Sequence, residues 1–342
     1  MLSPTWQFLL ATLPPLPDAE RLSSLVAVGS HEWDELYALC LRHGLFPLAW
    51  TALQTLPPDL VPAVQRERLR TAAAACMLRS LAMDSELRRL QGVFTAAGIR
   101  ATPFKGPVLA AQAYGDVALR VFDDLDLMVP LDEIRRAVAI LEGEGYVLAV
   151  ERRLLAHRDF FSLAQHVGLY HPSGEWLVEI HWALFNAWRR TPLTLDGDPP
   201  TDEELLLYLC LHGTGHWWHK LKWVVDIDRL VRSAPGLDWA QLFARAGCLG
   251  CRRAVSLGLL LAQQWCGTPL PGPCRMALAD DAALRGLEAW VAGNWQDPEN
   301  FEQSRWQRYR FTLAARERKR DRLLMAVGNL CLRFRRWRLG MA

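Results

Sequence analysis

The chain has 342 residues, of which 51% are hydrophobic and 22% are charged, and its formal net charge is +2, as in a soluble globular protein with two or three packed units. No uncharged apolar run reaches the ~18 residues of a membrane-spanning helix, and the N-terminal segment lacks the basic leader of a signal peptide. Because the eight cysteines are scattered rather than set out as a dense disulfide framework, we expect a reducing compartment and a cytoplasmic protein.

Residues 1–95 are predicted to form a helical region. Apolar residues recur at 3.6-residue spacing from Trp33 to Cys40, which is typical of one buried helix face. After the break at Pro57 a long helical pattern follows and ends at Gly98, so no strand is expected before this point.

Residues 96–195 are predicted to form a small α/β unit, because the periodicity changes at GIRATPFKG. A short strand leads to Lys105 and Gly106, and a helix follows from Pro107. The next strand is RVFDDLDLMVP, residues 120–130, and after another helix two further strands are predicted in DFFSLAQHVGLYH and EWLVEIHWAL. This order of strands and helices indicates a mixed sheet.

Helices are predicted to resume after the linker-like segment TPLTLDGDPP, where Thr201 and Glu204 have the spacing of a capping box. The expected fold class is therefore α+β, with a small mixed β-sheet core flanked by N-terminal and C-terminal helical regions. The predicted segments are the N-terminal helical region 1–95, the α/β core 96–195, the C-terminal helical region 196–304 and a basic helical tail 305–342.

The tail carries most of the positive charge. From Arg305 to the C-terminus the chain has twelve Lys or Arg and two Asp or Glu, a surplus of +10, which leaves −8 on residues 1–304. Such a tail is either an Arg-rich helix that docks on the acidic body or a segment that binds an acidic partner or an anionic membrane surface. The negative charge of the body argues against a large RNA-binding surface, so a nucleic-acid partner is not expected.

Three aspartates lie within the apolar strand RVFDDLDLMVP, where an uncompensated carboxylate would be unfavourable to bury. Side chains alternate along a strand, so Asp124 and Asp126 share one face, and Asp123 lies on the core-facing side or, as we favour, at the entry of the strand. The same alternation places Glu179 and His181 together on the last strand. If the two strands are neighbours, Asp124, Asp126 and Glu179 converge into a set of hard oxygen ligands for Mg²⁺ or Mn²⁺.

The turn before the first helix of this unit is suited to an anion. Gly106 permits close backbone approach, the helix that begins at Pro107 offers free N–H groups, and Lys105 adds a positive charge. Two acids on the solvent-facing side of a surface strand are nevertheless the commoner interpretation of a lone D-x-D pattern. The spacing alone therefore leaves both alternatives open.

Two further groups of residues have spacings that metal sites use. His212, His216 and His219 stand at i, i+4 and i+7, but glycines weaken that helix, and contact with a substrate or a packed helix junction is favoured over zinc. The neighbouring tryptophans can stack on a base, although core packing is commoner. Cys248 and Cys251 have zinc-ribbon spacing without the flanking turns, so buried thiols are favoured over metal or redox chemistry.

The segment FKGPVLAAQAYGDVALRVFDDLDLMVP resembles the signature of a large, mostly uncharacterised bacterial nucleotidyltransferase family, in which a K-G turn and a helix precede an arginine and a D-x-D strand. The likeness extends to GSHEWDELYALCLRHGLFPLAWTAL upstream, to VEIHWAL, and to LHGTGHWWHKLKWVVDIDRL downstream, and it covers about residues 30–270. The combination is more specific than any single motif. It implies the nucleotidyltransferase fold that is related to DNA polymerase β.

The resemblance implies that two or three carboxylates bind divalent metal ions, which hold a nucleoside triphosphate and activate the acceptor for attack on the α-phosphorus. Asp124 and Asp126 match the D-x-D metal ligands. Glu179 matches the third carboxylate, which acts as a ligand or as the general base for the acceptor. These three are therefore the expected catalytic and metal-binding residues, with Mg²⁺ or Mn²⁺ as the cofactor.

The resemblance also implies residues that bind the nucleotide. Lys105 and Gly106 match the K-G turn that faces the phosphates. Arg120 matches the arginine before the D-x-D strand and is expected to meet a phosphate or to fix Asp123. His181 shares a face with the third carboxylate, where it orients that group, touches the nucleotide or makes a plain structural hydrogen bond.

The expected activity is the transfer of a nucleoside monophosphate, with AMP favoured, from an NTP to a small-molecule, phosphorylated or peptide acceptor, with release of pyrophosphate. One departure from the wider superfamily keeps alternatives open, because its usual Gly-Ser or Gly-Gly turn is Gly106-Pro107 here, and proline has neither hydroxyl nor N–H. The alternatives are a catalytically inactive nucleotide-binding or interaction protein that uses the basic tail, and a toxin-like nucleotidyltransferase that modifies tRNA.

Overall fold

The computed structural model describes residues 2–27, 32–184, 200–279, 281–297 and 305–325 of the chain. The helices before the sheet are α1 (Pro4–Ala11), α2 (Ala19–Ala27), α3 (Trp33–His43), α4 (Phe46–Leu53) and α5 (Ala63–Ala96). The α/β part contains β1 (Thr102–Pro103), α6 (Gly106–Leu109) with a π-helical continuation (Ala110–Tyr114), β2 (Asp124–Met128), α7 (Ile134–Gly143), β3 (Val147–Leu148), α8 (Arg158–Leu163), β4 (His166–Tyr170) and β5 (Leu177–His181). The helices after it are α9 (Asp202–Gly215), α10 (Lys222–Ser233), α11 (Trp239–Leu249), α12 (Arg252–Cys266), α13 (Gly272–Ala279), α14 (Ala282–Gln296) and α15 (Arg305–Ala314).

One five-stranded mixed sheet with many flanking helices confirms the predicted α+β class. The division into four segments stays a prediction, since the linker TPLTLDGDPP (except its last residue), the boundaries at 195 and 304 and the tail beyond 325 lie outside the described residues. Across the described ranges, no helix combines the length and the apolar character needed to cross a membrane.

The long helix α5 forms as the sequence predicts. It starts directly after Pro62 and ends before Gly98, which takes a left-handed φ of 67°. The N–H of Ile99 then bonds back to the carbonyl of Phe94 at 2.9 Å and closes the helix end. The buried side chains on the C-terminal half of α5 pack under the sheet; they are Met83, Leu87, Leu90 and Phe94.

The strands are ordered β1-β2-β5-β4-β3 in the sheet. β2 and β5 pair in parallel, whereas the other three neighbouring pairs are antiparallel. In the parallel pair, Asp126 lies opposite Glu179 and Met128 lies opposite His181. The two strands that carry the predicted site residues are therefore direct neighbours.

One face of the sheet is apolar and buried, and the other is polar. Leu125, Leu127, Val178 and Ile180 are completely buried and pack with α5 and α7 in one hydrophobic core, while the flanking helices share a second. The opposite face presents the acidic and histidine side chains of the same strands to a cleft. Alternation along the strands therefore sorts the side chains as predicted.

The strand predicted in DFFSLAQHVGLYH is wrong in its first half, which forms helix α8, and β4 begins only at His166. Phe160 and Phe161 both contact the indole of Trp182, with ring centroids 5.9 and 5.0 Å away. Adjacent residues of a strand point to opposite faces, so this packing needs a helical turn and overrides the strand propensity of the two phenylalanines. The strand β3 was not predicted, because two residues are too few for an alternating pattern.

The chain turns sharply between α9 and α10. α9 begins with the predicted capping box, in which Thr201 and Glu204 exchange side-chain and backbone hydrogen bonds. Trp217 and Trp218 both have φ of 54°, a left-handed conformation that is unusual for a large side chain. The indole of Trp218 is completely buried and occupies the space beside Gly213 that a Cβ would need. Burial of this indole therefore stabilises the strained turn.

The described part of the basic tail packs on the body of the protein. The carboxylate of Glu317 accepts hydrogen bonds from the N–H groups of Arg252 and Arg253 at 3.1 and 2.7 Å. These N–H groups lie at the N-terminus of helix α12, where the helix dipole favours a negative charge. Up to residue 325 the tail thus follows the docked alternative, and residues 326–342 lie outside the described chain.

A buried histidine joins α3 to the start of α10. The Nδ1 atom of His43 accepts a hydrogen bond from the N–H of Leu221 at 3.1 Å, and its ring contacts those of Trp6 and Trp295. Burial lowers the pKa of His43 from 6.5 to about 3. The fold therefore contains this imidazole in its neutral form.

Gly213→Ala is expected to destabilise the protein by about 1–3 kcal/mol, because the new Cβ would lie 2.4 Å from the ring of Trp218. Gly286→Ala in α14 is the matched control, since its Cβ would meet nothing within 4 Å. For Gly286→Ala, the lower entropy of the unfolded chain should increase the free energy of unfolding by about 0.4–1 kcal/mol. Chemical unfolding of the three proteins measures both changes, and the same sign for both variants would contradict the packing described for Trp218.

The stability of the protein is expected to fall with pH below about 6.5 in part through His43. In that range the unfolded chain takes up a proton at His43 that the folded protein does not, since burial lowers the pKa of this group to about 3. The stabilisation that comes from keeping His43 neutral is complete above pH 6.5. As the pH falls from 6.5 towards 3, the free energy of unfolding decreases by about 1.4 kcal/mol per pH unit. Urea unfolding at about pH 7.5 and about pH 5.5 should show a shallower pH dependence for His43→Asn, and equal slopes would count against this assignment.

Candidate active site

The register of β2 and β5 gathers the three predicted carboxylates. One carboxylate oxygen from each of Asp124, Asp126 and Glu179 lies within 4.8 Å of the others. These side chains line a cleft of about 590 Å³ whose other walls come from α9, α10 and the region of α15. The alternation along two separate strands thus produces one acidic group.

Asp126 is a completely buried carboxylate that remains ionised. Its Oδ1 atom accepts hydrogen bonds from Lys105 Nζ at 3.1 Å and from His181 Nε2 at 3.0 Å. Burial favours the neutral acid, but the charge of Lys105 and the hydrogen bond from His181 outweigh it and lower the pKa of Asp126 below its usual range. Its Oδ2 atom is buried without a hydrogen-bond partner among the described residues, so it offers an open position to a cation.

Asp124 is in electrostatic conflict with its neighbour. Burial and the negative charge of Asp126 raise the pKa of Asp124 to about 6. Two carboxylates this close are both ionised only when a positive charge compensates them. A divalent cation supplies that charge, and three carboxylate oxygens are the hard ligands that Mg²⁺ or Mn²⁺ prefers, so the residues present fit such an ion.

Glu179 is anchored by two histidines. His181 Nε2 lies 3.2 Å from one oxygen of Glu179, and His166 Nε2 lies 3.4 Å from the other. Burial opposes ionisation, but the hydrogen bond from His181 and the charge of His166 lower the pKa of Glu179. Burial likewise opposes the charge of His181, but its hydrogen bonds to Asp126 and Glu179 raise its pKa. His181 therefore orients both carboxylates, which is one of the roles predicted for it.

The turn at Lys105 and Gly106 lies against β2. Gly106 has φ of 54°, a left-handed conformation that favours glycine, and its backbone lies close to the carbonyl oxygen of Asp124. The ammonium of Lys105 is bound to Asp126 and lies 5.4 Å from the ring centre of Tyr208. Although burial opposes it, the charge of Asp126 raises the pKa of Lys105 well above its usual value. The structure therefore places Lys105 in the cleft as the counter-charge of a carboxylate.

Arg120 joins this turn to helix α10. Its Nε and Nη2 atoms donate to the two carboxylate oxygens of Asp226 at 2.7 and 2.9 Å, and Nη1 donates to the carbonyl of Gly106 at 3.5 Å. The hydroxyl of Tyr114 donates to the same carboxylate at 2.7 Å. Arg120 lines the cleft, but it pairs with Asp226 and not with Asp123, the carboxylate suggested from the sequence, because its guanidinium reaches across to α10.

Asp123, at the entry of β2, is surrounded by other cations. Arg79, Lys222 and Lys220 place a nitrogen 2.8, 3.6 and 3.8 Å from its carboxylate. Burial lowers the pKa of Lys222 to about 8. The sequence analysis does not identify the two lysines, although composition holds a signal: the chain has four lysines, and Lys105, Lys220 and Lys222 all line the cleft.

Another part of the cleft lining is aromatic. It is formed by His212, His216, His219 and Trp223, with Trp217, Thr312 and Arg316 beside them. Within the described ranges, the groups that can hold a metal ion are Asp124–Asp126–Glu179 and His166–Glu179–His181, so the three histidines of α9 and the following turn do not form the zinc site that their spacing allows. All three tryptophans of the segment pack in or against the hydrophobic core, and Trp217 and Trp223 also line the cleft.

The cysteine pair gives no sign of a metal centre. Cys248 and Cys251 are free thiols, and neither belongs to a group of potential ligands in the described part of the chain. Cys251 is partly buried, and desolvation raises its pKa to about 12, as expected for an unreactive thiol. Cys248 is exposed, which corrects the expectation that both are buried.

A family model described as uncharacterised nucleotidyltransferase matches residues 29–267, which include the whole sheet and helices α9 and α10. The comparisons with curated proteins and with solved structures give no match. Nucleotidyltransferases generally use divalent metal ions, and the acidic groups on the sheet can bind one. The chain therefore belongs to this nucleotidyltransferase family, as its K-G turn and D-x-D strand indicate, and is an enzyme of nucleotidyl transfer.

Proposed function

We propose that the protein transfers a nucleoside monophosphate from an NTP, with ATP as the expected donor, to a small-molecule, phosphorylated or peptide acceptor in a metal-dependent reaction that releases pyrophosphate. The observation that carries this proposal is the convergence of Asp124, Asp126 and Glu179, together with the buried oxygen of Asp126 that has no partner in the described chain. This is the ligand set that metal-dependent transfer at phosphorus needs.

Asp124, Asp126 and Glu179 would hold Mg²⁺ or Mn²⁺. When bound, the metal supplies positive charge that neutralises the triphosphate and the departing pyrophosphate. Lys105 keeps Asp126 ionised, and His181 orients Asp126 and Glu179. Because the pKa of Glu179 is lowered, this residue is better suited as the third ligand than as a general base, which works best with a pKa near the operating pH.

The proposed reaction is a displacement at the α-phosphorus. An oxygen of the acceptor forms a bond to the α-phosphorus, the bond from that phosphorus to the β-bridging oxygen breaks, and pyrophosphate leaves with the electron pair. When the acceptor is a hydroxyl, its proton passes to solvent in the cleft. The carboxylates and the cations of the cleft then act by position and charge alone.

The cations of the cleft favour a polyanionic substrate. Lys220 and Lys222 line the same cleft as the carboxylates, and such side chains bind phosphate oxygens through charge-assisted hydrogen bonds. The volume of about 590 Å³ lies within the range of small-molecule sites, about 300–1,000 Å³. It suits a nucleotide beside a small acceptor group rather than a long polymer.

A second candidate is nucleotide binding without transfer. Pro107 removes an N–H from the turn that grips phosphate in related enzymes, and Lys105 is already paired with Asp126. Both features reduce the phosphate contacts that the turn itself can make. Binding and transfer must therefore be measured separately.

Asp126→Asn is expected to abolish metal-dependent nucleotide binding, because it removes the charge of the central ligand. In a thermal-shift titration with each of the four NTPs, the wild-type protein should gain a few degrees with one NTP when Mg²⁺ is present, and EDTA should remove the gain. The exposed Asp132, outside the cleft, provides the control variant Asp132→Asn, which should behave as wild type. Absence of a metal-dependent shift for every NTP would contradict the proposal.

Label transfer distinguishes the two candidate functions. With an NTP labelled at the α-phosphorus and an extract of small molecules, the wild-type protein should transfer label to an acceptor, whereas a γ-label should leave in pyrophosphate. Asp124→Asn should slow the transfer about a hundredfold or more, since several kcal/mol of charge stabilisation are lost. Metal-dependent binding without any label transfer would favour the second candidate.

A further inference from the structure

The cleft has an aromatic surface that the proposed chemistry at phosphorus does not use. We call this surface the His–Trp wall; it consists of His212, His216, His219 and Trp223. The ring centroids of the three histidines lie 5.3, 5.4 and 4.6 Å from that of Trp223, and those of His212 and His216 are 4.5 Å apart. The four rings thus form one continuous cluster in the lining of the cleft.

The His–Trp wall is uncharged at neutral pH. Burial lowers the pKa of all three histidines and is the largest cause in each case. The pKa of His216 falls to about 4. Neighbouring cations such as Lys105 and Lys220 act in the same direction. A neutral imidazole offers one hydrogen-bond donor and one acceptor beside its flat face. In a cleft otherwise lined by ions, this surface suits a planar, polar and uncharged group.

Trp223 is buried in the hydrophobic core, but packing does not account for the histidines of the His–Trp wall. The junction between α9 and α10 is filled by Trp218, which is completely buried. His216, by contrast, is exposed to the cleft, and the ring nitrogens of His212 and His216 have no hydrogen-bond partner among the described residues. These imidazoles therefore have free donors and acceptors that a ligand can use.

A chain of contacts connects the wall to the metal-binding carboxylates. Lys105 binds Asp126 at 3.1 Å and lies 5.4 Å from the ring centre of Tyr208. The ring of Tyr208 is in turn 5.8 Å from that of His212. A molecule with its phosphates at the carboxylates can therefore place an attached ring on the wall within the same cleft.

We infer that the His–Trp wall binds the nucleobase of the donor NTP. The base stacks on the aromatic faces, and the free imidazole nitrogens of His212 and His216 bond to its edge. This inference rests on the proposed function, because the triphosphate must be held by the metal-loaded carboxylates and the cations of the cleft. It adds the group that discriminates a nucleotide from other polyphosphates.

The test compares each NTP with inorganic tripolyphosphate, which carries the phosphates without a base. Isothermal titration calorimetry in the presence of Mg²⁺ measures both for the wild-type protein, for His216→Ala and for His157→Ala. His216 is exposed, so its removal opens no cavity, and the exposed His157 lies outside the cleft as a matched control. His216→Ala should weaken the tightest NTP about tenfold and leave tripolyphosphate within about twofold, whereas His157→Ala should change neither.

The possible failures point to different parts of the site. An equal loss for the NTP and for tripolyphosphate, or no loss for either, would overturn the assignment of the base and leave the phosphate site in place. Wild-type protein that binds neither ligand with Mg²⁺ would overturn the proposed function, and the base site with it.

Discussion

Parallel pairing of β2 with β5 in a single register is the constraint on which the cleft depends. It sets Asp126 opposite Glu179, and the alternation of side chains then places every charged group of the two strands on one face. A shift of β5 by one residue would turn Glu179 and His181 into the apolar core and present Val178 and Ile180 to the cleft. The burial of aliphatic side chains therefore determines where the carboxylates lie, although the aliphatics take no part in the chemistry.

Most carboxylates of the cleft have at least one positively charged or histidine side chain in contact with them, whereas Asp124 has none among the described residues. Lys105 and His181 compensate Asp126, and Arg120 compensates a second buried carboxylate on α10. Asp124 has no cation in contact with it among the described residues, and burial together with the charge of Asp126 raises its pKa to about 6. An acidic group with one position left uncompensated is poised for an ion from outside, which unites the electrostatics of the sheet with the proposed metal-dependent chemistry.

The sequence predicts the features that depend on neighbouring residues and fails on those that depend on distant ones. Alternation identified the faces of β2 and β5, and with them the group of Asp124, Asp126 and Glu179. It could not identify the partner of Arg120, since that carboxylate lies 106 positions further along the chain. The helix α8 was missed for the same reason, because contacts with Trp182 rather than local propensity decide its conformation.

Helix α15 and the residues that follow it lie beyond the matched range 29–267, and yet they border the cleft. The hydroxyl of Thr312 accepts a hydrogen bond from the indole of Trp217 at 3.1 Å, and Arg316 also lines the cleft. The carboxylates and this part of the cleft lining are thus encoded in separate stretches of the chain. Substitutions in the late stretch can change the shape of the cleft without shifting the β2–β5 register, so the lining can vary while the carboxylates stay in place.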